Sequence, residues 1–252
     1  TKAAINQETL ELRHSDEYGI PVRWIEGKKR GASSQKAAYL GKSGKSLSIE
    51  TYALEHYRDL GFWGYWTENE YWWAIMALLF WDVIFAKLPG VFSPGVFQLN
   101  QDMPLDFFSI DFYQKRKDLI EKRMAELTQP KLLGLKRPNI ELELTSAFKN
   151  HYGHPCRPMN WQKYSIVDEL LLAAKSLSGS QLMKIMRCLL VDHNENRRGM
   201  PDLFMVKNGS AIFVEIKSEK EKVADYQYEW LKYIQTEVLV SVEICRVVNI
   251  AP

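Results

Sequence analysis

The sequence has few of the features that mark secreted, membrane-embedded or strongly basic proteins. Its three cysteines, Cys156, Cys188 and Cys245, are odd in number, widely separated, and form no Cys-x-x-Cys pair. We therefore expect reduced thiols in an intracellular protein. Thirty-three basic residues nearly balance 31 acidic ones, giving a net charge of +2. Any nucleic-acid binding must therefore be argued from the positions of the charges and not from their sum.

The chain also lacks a convincing membrane span. Its longest apolar run is residues 71–88, and Asp82 lies inside that run. A spanning helix needs about 20 apolar residues, and a central Asp costs roughly 2.5–3.5 kcal/mol on insertion scales. A helix that is apolar on every side is typical of a protein core. We predict a buried helix at 71–88, a hydrogen-bond partner for Asp82, and no association with a membrane.

What remains is enough for one large domain or two small ones. The 252 residues are 46% hydrophobic and 12% aromatic, so the chain can bury a sizeable core. Proline- and glycine-containing breaks predict a mixed, partly flexible segment at 1–47, a helical region at 48–135 and a second domain at 136–252. Because the chain begins with Thr1, we expect it to start part-way through a longer protein or to have been trimmed.

Residue periodicity predicts an α/β protein. Apolar positions at helical spacing predict helices at 48–60, 111–127, 140–152, 164–191 (with a break at 178–180) and 223–233. Alternating apolar positions predict strands at 20–25, 202–207, 211–217 and 238–248. Thr67 and Glu70 have the spacing of a capping box, which predicts a helix start there. The last elements then form an α-β-β-α-β core, a mixed sheet flanked by helices.

The most informative stretch is Arg197-Arg198-Gly199-Met200-Pro201-Asp202 with the following run 211–217. Asn208-Gly209 between the two runs predicts a hairpin with a type I′ turn. Side chains alternate along a strand, so Glu215 and Lys217 share a face, and Asp202 can reach the same edge. Neighbouring carboxylates bind Mg²⁺ or Mn²⁺, which can polarise a phosphodiester. A solvated edge strand explains Glu-x-Lys alone better, but the Pro-Asp pair 13 residues earlier favours the metal site.

These residues resemble a known nuclease superfamily. Pro201-Asp202, Glu215-x-Lys217 and Gln227 are similar to the PD-(D/E)xK pattern, and Arg-Gly-x-Pro-Asp-Leu resembles its virus-type replication-repair branch. Within that branch, one family is similar from about Ser48 to the C-terminus: the Fanconi-associated nucleases. The segments that resemble it are residues 53–58 with Gly61-Phe62, 78–85 and 104–107. The resemblance implies a restriction-endonuclease-like core preceded by a helical region.

The resemblance also implies a set of site residues. The catalytic positions would be Glu68, Asp202, Glu215, Lys217 and Gln227. The metal, Mg²⁺ or Mn²⁺, would be bound by Glu68, Asp202, Glu215 and the backbone carbonyl of Ile216. Without the resemblance, Glu68 fits better as an acid in the first turn of a helix. Without it, Gln227 fits a surface position equally well.

The resemblance supplies the expected substrate and partners. It implies a 5′-flap endonuclease with 5′-to-3′ exonuclease activity on branched DNA, acting in interstrand cross-link repair, with other repair proteins as possible partners. We expect a monomer or a weak dimer on DNA, in the nucleus of a eukaryote or in the cytoplasm or nucleoid of a bacterium. The candidate DNA-binding residues are Lys115, Arg116, Lys117, Arg197, Arg198 and Lys222. For the helix at 111–127 a solvated basic face is an equally good explanation.

The sequence leaves the 5′-phosphate pocket unlocated and two other functions open. Asn194 and Tyr226 are uncharged where the family has basic residues for a 5′ phosphate, so the sequence does not locate that pocket. The same core also serves Holliday-junction resolvases and restriction-type endonucleases, which cut as dimers. A DNA-binding repair scaffold with an inactive nuclease fold is a third possibility, although every catalytic position is filled here.

Overall fold

The computed structural model describes residues 19–29, 38–94, 101–129 and 140–250. The chain divides into two compact units: Thr1–Glu68 together with Gly199–Pro252, and Asn69–Arg198. The predicted boundary between residues 135 and 136 lies outside the described residues. The division into 1–47, 48–135 and 136–252 therefore stays a prediction.

The helices and strands largely follow the predicted order. The helices are α1 (Ile49–Asp59), α2 (Glu68–Leu79), α3 (Trp81–Ile84), α4 (Asp111–Thr128), α5 (Ile140–His151), α6 (Asp168–Ser176), α7 (Gly179–Val191), α8 (His193–Asn196) and α9 (Asp225–Tyr233), the last continued by a π-helical turn at Ile234–Val238. The strands are β1 (Val22–Gly27), β2 (Tyr39–Leu40), β3 (Ser46–Leu47), β4 (Trp63–Trp66), β5 (Leu203–Lys207), β6 (Ser210–Ser218) and β7 (Ser241–Asn249).

The first unit is built on a five-stranded mixed sheet in the order β1-β7-β6-β5-β4. β7 runs parallel to both β1 and β6, whereas β5 is antiparallel to β6 and to β4. Strands β2 and β3 form a separate antiparallel pair. The sheet therefore places β6, with the Glu-x-Lys pair, in the centre, where both of its neighbours cover its edges.

The predicted hairpin joins β5 to β6. Asn208 has φ 51° and Gly209 has φ 78°, and a type I′ turn needs positive φ at both central residues. The register pairs Lys207 with Ser210 and Leu203 with Val214. Asp202 and Glu215 adjoin the last pair of this ladder, so the turn sets the spacing of the two carboxylates.

Helix α1 covers one face of this sheet. The Ser48 hydroxyl accepts a hydrogen bond from the Thr51 backbone N–H at 3.2 Å, which caps the N-terminus of the helix. The helix buries Ala53 and Tyr57 in the core. The Tyr57 hydroxyl also donates to Glu243 of β7, whose carboxylate accepts two hydrogen bonds from the Arg23 guanidinium, at 2.7 and 3.0 Å. This ion pair satisfies a charge that the core would otherwise leave unpaired.

Strand β4 is an element that the sequence did not predict. It forms the edge of the sheet, pairing Trp66 with Leu203. Directly after it, the Thr67 backbone N–H donates to the Asp202 carbonyl at 2.8 Å. The four residues of β4 are too few to show alternation, so only the pairing with β5 reveals the strand.

In the second unit, the predicted helix at 71–88 is interrupted. Helix α2 ends at Leu79, Phe80 takes φ −117°, and the short helix α3 follows. Asp82, predicted to lie within a buried helix, has an exposed side chain, because Val83 and Ile84 form the buried face of α3. Among the residues that the structure describes, none of the helices combines the length and hydropathy that a bilayer span requires.

The N-termini of α7 and α2 are capped differently. At α7 the Ser178 hydroxyl accepts from the Gln181 N–H at 3.2 Å and the Gln181 side chain accepts from the Ser178 N–H at 2.9 Å, a complete capping box. At α2 the predicted capping box is wrong. The Thr67 hydroxyl donates to the Asp202 carbonyl at 3.5 Å, and the Glu70 carboxylate pairs with Lys163 at 3.1 Å. Longer-range partners replace the local ones.

Candidate active site

The hairpin brings the two predicted catalytic carboxylates together at one end of the sheet. Asp202 immediately precedes β5, and Glu215 lies in β6. The Asp202 Oδ2 atom accepts a hydrogen bond from the backbone N–H of Ile216 at 2.7 Å. Glu215 has no exposed surface, whereas Asp202 is half-buried. The pair therefore lies between a dry interior and an accessible edge.

Two side chains hold the Glu215 carboxylate in place. The Lys217 ammonium and the Gln227 side-chain N–H both donate to Glu215 Oε1 at 2.5 Å. The Gln227 side-chain oxygen in turn accepts from the Ala224 backbone N–H at 3.1 Å, at the N-terminus of α9. The amide thus caps its own helix and orients the carboxylate, which fixes Glu215 from two directions.

The other oxygen of this carboxylate is the most informative atom of the site. Glu215 Oε2 is buried and has no hydrogen-bond partner among the described residues. A buried carboxylate oxygen without a donor is costly, and a divalent cation satisfies it without a proton. The residues therefore fit the metal that the fold class implies. Among the described residues there is no cluster of three or more His, Cys, Asp or Glu side chains in a ligand arrangement. Water and backbone oxygens would complete the coordination, as Mg²⁺ prefers.

Burial also shifts the pKa values of the charged side chains in this site. Burial, with a smaller contribution from the neighbouring Asp202, raises the pKa of Glu215 to about 8. Burial likewise raises the pKa of Asp202 to about 7, against the opposing effects of the Ile216 N–H and the Lys217 charge. Burial alone would lower the pKa of Lys217, but the attraction of Glu215 outweighs it and the pKa is raised. Near neutral pH the metal-free site therefore favours a proton on its carboxylates and a charged lysine.

Glu68 joins the site from the end of β4. It is the first residue of α2, with φ 43°, and its backbone N–H lies 3.4 Å from the Asp202 carbonyl oxygen. Positive φ is uncommon for a residue other than glycine and concentrates at functional sites. The Glu68 Oε1 atom accepts a hydrogen bond from the Trp66 indole N–H at 2.9 Å. Its charge makes a minor contribution to the raised pKa of Asp202.

The structure thus gathers all of the predicted catalytic positions in the first unit. The backbone of Ile216, the predicted carbonyl ligand, lies in β6 between two of these side chains, with its N–H directed to Asp202. The catalytic and metal-binding roles themselves stay predictions. What the structure adds is a set of direct contacts: Glu215 with Lys217 and Gln227, Asp202 with the Ile216 N–H, and the Glu68 N–H with the Asp202 carbonyl.

The predicted DNA-binding residues of helix α4 differ in their surroundings. Arg116 is 1% exposed, and its guanidinium donates to Asp106 at 2.9 Å and to the Val83 carbonyl at 3.1 Å. This burial does not fit the predicted contact with a phosphate, because the charge is already neutralised inside the unit. Lys115 and Lys117 are both exposed, and the Lys115 ammonium lies 3.7 Å from the Asp106 carboxylate.

The remaining predicted DNA-binding residues lie at chain segments between helices and strands. Arg197 is half-buried, with its guanidinium carbon 5.5 Å from the centre of the Phe108 ring. Arg198, which precedes Gly199, is exposed. Lys222 is exposed in the loop between β6 and α9. These positions leave Arg198 and Lys222 accessible to a ligand, and their role in DNA binding stays a prediction.

Sequence reasoning missed residues that shape the site from β4 and β7. Trp66 holds Glu68, and the only signal for it was its place two residues before that acid. Arg246 of β7 donates to the Ser218 carbonyl at 3.2 Å and to the Glu221 carbonyl at 2.8 Å, which ties down the loop that follows β6. A lone arginine in a predicted strand gives no sign of such a partner, because the loop lies more than 20 residues away in sequence.

Residues 136–249 match the VRR-NUC domain family. The chain is 31% identical over 252 residues to a Fanconi-associated nuclease 1 homolog of Oryza sativa subsp. japonica, an alignment that covers 96% of this chain and 24% of that relative. A homolog from Arabidopsis thaliana is 31% identical over 239 residues, covering 90% of this chain and 25% of the relative. The chain therefore spans about a quarter of the length of these relatives.

Solved structures show a similar fold. The crystal structure of paFAN1 bound to DNA with a 2-nucleotide 5′ flap and a gap superposes with a TM-score of 0.72 at 22% identity, covering 95% of this chain and 42% of that chain. The complex with a 1-nucleotide 5′ flap gives a TM-score of 0.70 at 23% identity, with the same coverage. These similarities confirm the predicted fold class, a mixed sheet flanked by helices of the PD-(D/E)xK type.

Proposed function

Because this chain belongs to the Fanconi-associated nuclease family and carries a VRR-NUC domain, we propose that it is a metal-dependent, structure-specific DNA nuclease. The reaction is hydrolysis of a phosphodiester bond. One observation carries the proposal: a buried Glu215 oxygen without a hydrogen-bond partner among the described residues lies in a cluster with Asp202, Lys217 and Gln227. A buried carboxylate oxygen without a donor destabilises the metal-free protein, whereas a bound cation would satisfy it.

The proposed metal is Mg²⁺ or Mn²⁺. Asp202, Glu215, Glu68 and the backbone carbonyl of Ile216 would hold it, since hard divalent cations prefer oxygen ligands. Bound there, the ion would polarise a phosphodiester and lower the pKa of a water molecule. The raised pKa values of Asp202 and Glu215 mean that these carboxylates release protons when a cation binds.

The other residues position charge at the reaction site. Lys217 stays protonated and is fixed by Glu215, so its ammonium can offset the negative charge that develops on the phosphate. Gln227 keeps Glu215 in one orientation through its second hydrogen bond to α9. Burial of Lys217 and Glu215 excludes water from their contact, which strengthens the electrostatic interaction between them.

We propose branched DNA, in particular DNA with a 5′ flap, as the substrate. Support comes from the family and from the similar fold of paFAN1, whose crystal structures contain 5′-flap DNA. The specific activity we propose is that of a 5′-flap endonuclease with 5′-to-3′ exonuclease activity. Its proposed role is interstrand cross-link repair, together with other repair proteins. Accessible cations for the DNA backbone are Lys117, Arg198 and Lys222. The proposal implies an intracellular location where DNA is present.

The decisive test is cleavage of an end-labelled 5′-flap duplex with Mn²⁺ by this chain and by Asp202→Ala. We expect cutting near the junction by the unchanged chain and none by the variant, because Asp202 is a proposed metal ligand. Asp59→Ala serves as the matched control, since Asp59 is an exposed helix-end residue that pairs with Lys42. This control should cut like the unchanged chain.

Other outcomes would contradict the proposal in recognisable ways. Tight flap binding without cutting would indicate a DNA-binding scaffold with an inactive site. Symmetrical cutting of a four-way junction by a dimer would indicate a resolvase. Cutting that survives in Asp202→Ala would show that the cluster of Asp202 and Glu215 is not the active site.

A further inference from the structure

Trp66 keeps a large aromatic surface in solvent beside the proposed active site. Its side chain is 44% exposed, whereas Trp72 is fully buried and Trp230 is 4% exposed. Trp66 is the last residue of β4 and pairs with Leu203, the residue that follows Asp202. A single exposed apolar side chain is ordinary on a protein surface, but a tryptophan that contacts a proposed metal ligand also offers its aromatic face to a substrate.

One edge of the ring is already fixed. The indole N–H donates to Glu68 Oε1 at 2.9 Å, which attaches the side chain to a proposed metal ligand. A ring held at one edge has lost much of its rotational freedom before any ligand arrives. Binding against its face therefore costs less entropy than binding to a freely rotating side chain.

We propose that Trp66 is a substrate-contacting residue whose exposed indole face stacks on a nucleobase next to the scissile phosphate. The inference rests on the proposed nuclease function and adds a specific contact to it. Every nucleobase has a π face, so stacking on an aromatic side chain binds DNA without reading its sequence. A nuclease that selects DNA by its branched shape needs contacts of this sequence-independent kind.

The position also explains how substrate and metal ligand are aligned. The same side chain contacts the base with its face and Glu68 with its N–H, so a stacked base lies at a fixed place relative to that carboxylate. Trp63 on the same strand is more exposed, at 60%, but its ring packs edge-on against Tyr65, 6.1 Å between ring centres. Trp63 pairs with Val206, which in turn pairs with Ala211, so it lies three ladder positions further from Asp202 and Glu215 than Trp66 does.

The test measures DNA binding rather than cutting. Fluorescence anisotropy with a labelled 5′-flap duplex is recorded in EDTA, so that the DNA stays intact, for the unchanged chain and for Trp66→Leu, Trp66→Phe and Trp63→Leu. We expect Trp66→Leu to weaken binding about 5- to 150-fold, the range for loss of one stacked base. Trp66→Phe keeps an aromatic face and should lose far less. Trp63→Leu should bind like the unchanged chain.

A second arm identifies the stacked base. Single abasic sites replace each nucleotide near the junction in turn. At one position the abasic DNA should bind the unchanged chain as weakly as Trp66→Leu binds intact DNA, and combining the two changes should add nothing further. Thermal unfolding of each variant, monitored by circular dichroism, verifies that the exposed substitutions leave the fold intact.

The outcomes separate this inference from the proposed function. If the unchanged chain cuts flap DNA and Trp66→Leu binds it equally well, stacking is refuted and the nuclease function stands. Equal losses in Trp66→Phe and Trp66→Leu would also refute it, because the N–H and not the face would then matter. If the unchanged chain neither binds nor cuts flap DNA, both proposals are overturned.

Discussion

At the scale of single residues, the metal-free site is governed by two carboxylates that are close together and shielded from water. Burial raises the pKa of Asp202 to about 7 and of Glu215 to about 8, against about 4 for such groups in an unfolded chain. The folded protein therefore binds these protons more tightly than the unfolded chain does. Stability from this source is complete below pH 4 or so and is lost as the pH rises through the folded pKa values.

We accordingly predict that the metal-free protein becomes less stable, by several kcal/mol, as the pH rises from about 5 to about 9. Urea unfolding in EDTA at several pH values measures the change. Asp202→Asn, which removes one of the two neighbouring charges, should flatten the profile and be more stable than the unchanged chain at pH 9. A stability that rises over this range would contradict the assignment of protons to these carboxylates.

Gln227 allows a second prediction at the same scale. Gln227→Leu removes one donor to Glu215 and the acceptor of the Ala224 N–H. We expect a loss of about 1 kcal/mol of stability from the helix cap and a roughly 10- to 100-fold loss of metal affinity or cleavage rate. Calorimetric titration with Mn²⁺ and cleavage kinetics measure the two effects.

The control for Gln227 is Gln235→Leu. Gln235 lies in the π-helical turn and donates to the Gly19 carbonyl, away from the Glu215 carboxylate. Its replacement should leave metal affinity unchanged. Equal metal affinities in both variants would show that Gln227 only caps its helix.

At the scale of elements, Gly199 connects the Arg-Gly-x-Pro-Asp stretch to helix α9. It has φ 92°, and a Cβ atom there would lie 2.6 Å from the Tyr226 carbonyl oxygen and 3.0 Å from the Trp230 ring. Glycine is favoured at position 199 for two reasons: its φ is positive, and the Tyr226 carbonyl leaves no room for a Cβ atom. The segment that delivers Asp202 and the helix that delivers Gln227 touch at this point, so their spacing depends on the missing side chain.

We predict that Gly199→Ala destabilises the protein by about 2–4 kcal/mol, the sum of an unfavourable φ and the displacement of α9. Gly209→Ala is the matched control, because Gly209 also has positive φ, 78°, but no atom within 4 Å of the added Cβ. It should cost only about 1 kcal/mol. Urea unfolding of both variants measures the difference. Equal losses would mean that α9 does not pack tightly against Gly199.

At the scale of the whole molecule, metal binding must appear as stability, because the site exists only in the folded chain. A ligand at 100 times its dissociation constant stabilises the folded state by about 2.7 kcal/mol. We predict that Mn²⁺ raises the unfolding temperature by several degrees and that EDTA reverses the increase. Asp202→Ala should abolish the effect and Asp59→Ala should retain it. A shift that persists in Asp202→Ala would place the metal elsewhere.

The sequence predicted several features of this fold because they are written in local patterns. Asn208-Gly209 determines the hairpin turn, since both residues tolerate positive φ. Alternation along β6 places Glu215 and Lys217 on one face. The Pro-Asp position then follows from the register, which pairs Leu203 with Val214. Each of these inferences depends on residues within 20 positions of one another.

Only the tertiary structure decided the features that depend on distant partners. Thr67 and Asp202 are 135 positions apart in sequence, and the edge strand β4 brings their backbones into contact. Glu68 and Trp66 reach the site through that contact. The burial of Arg116 and the exposure of Asp82 likewise depend on which neighbours cover each side chain. The local sequence pattern predicts which face of a helix or strand a side chain lies on. Its burial, its pKa and its neighbours in a site depend on packing between segments that are distant in sequence.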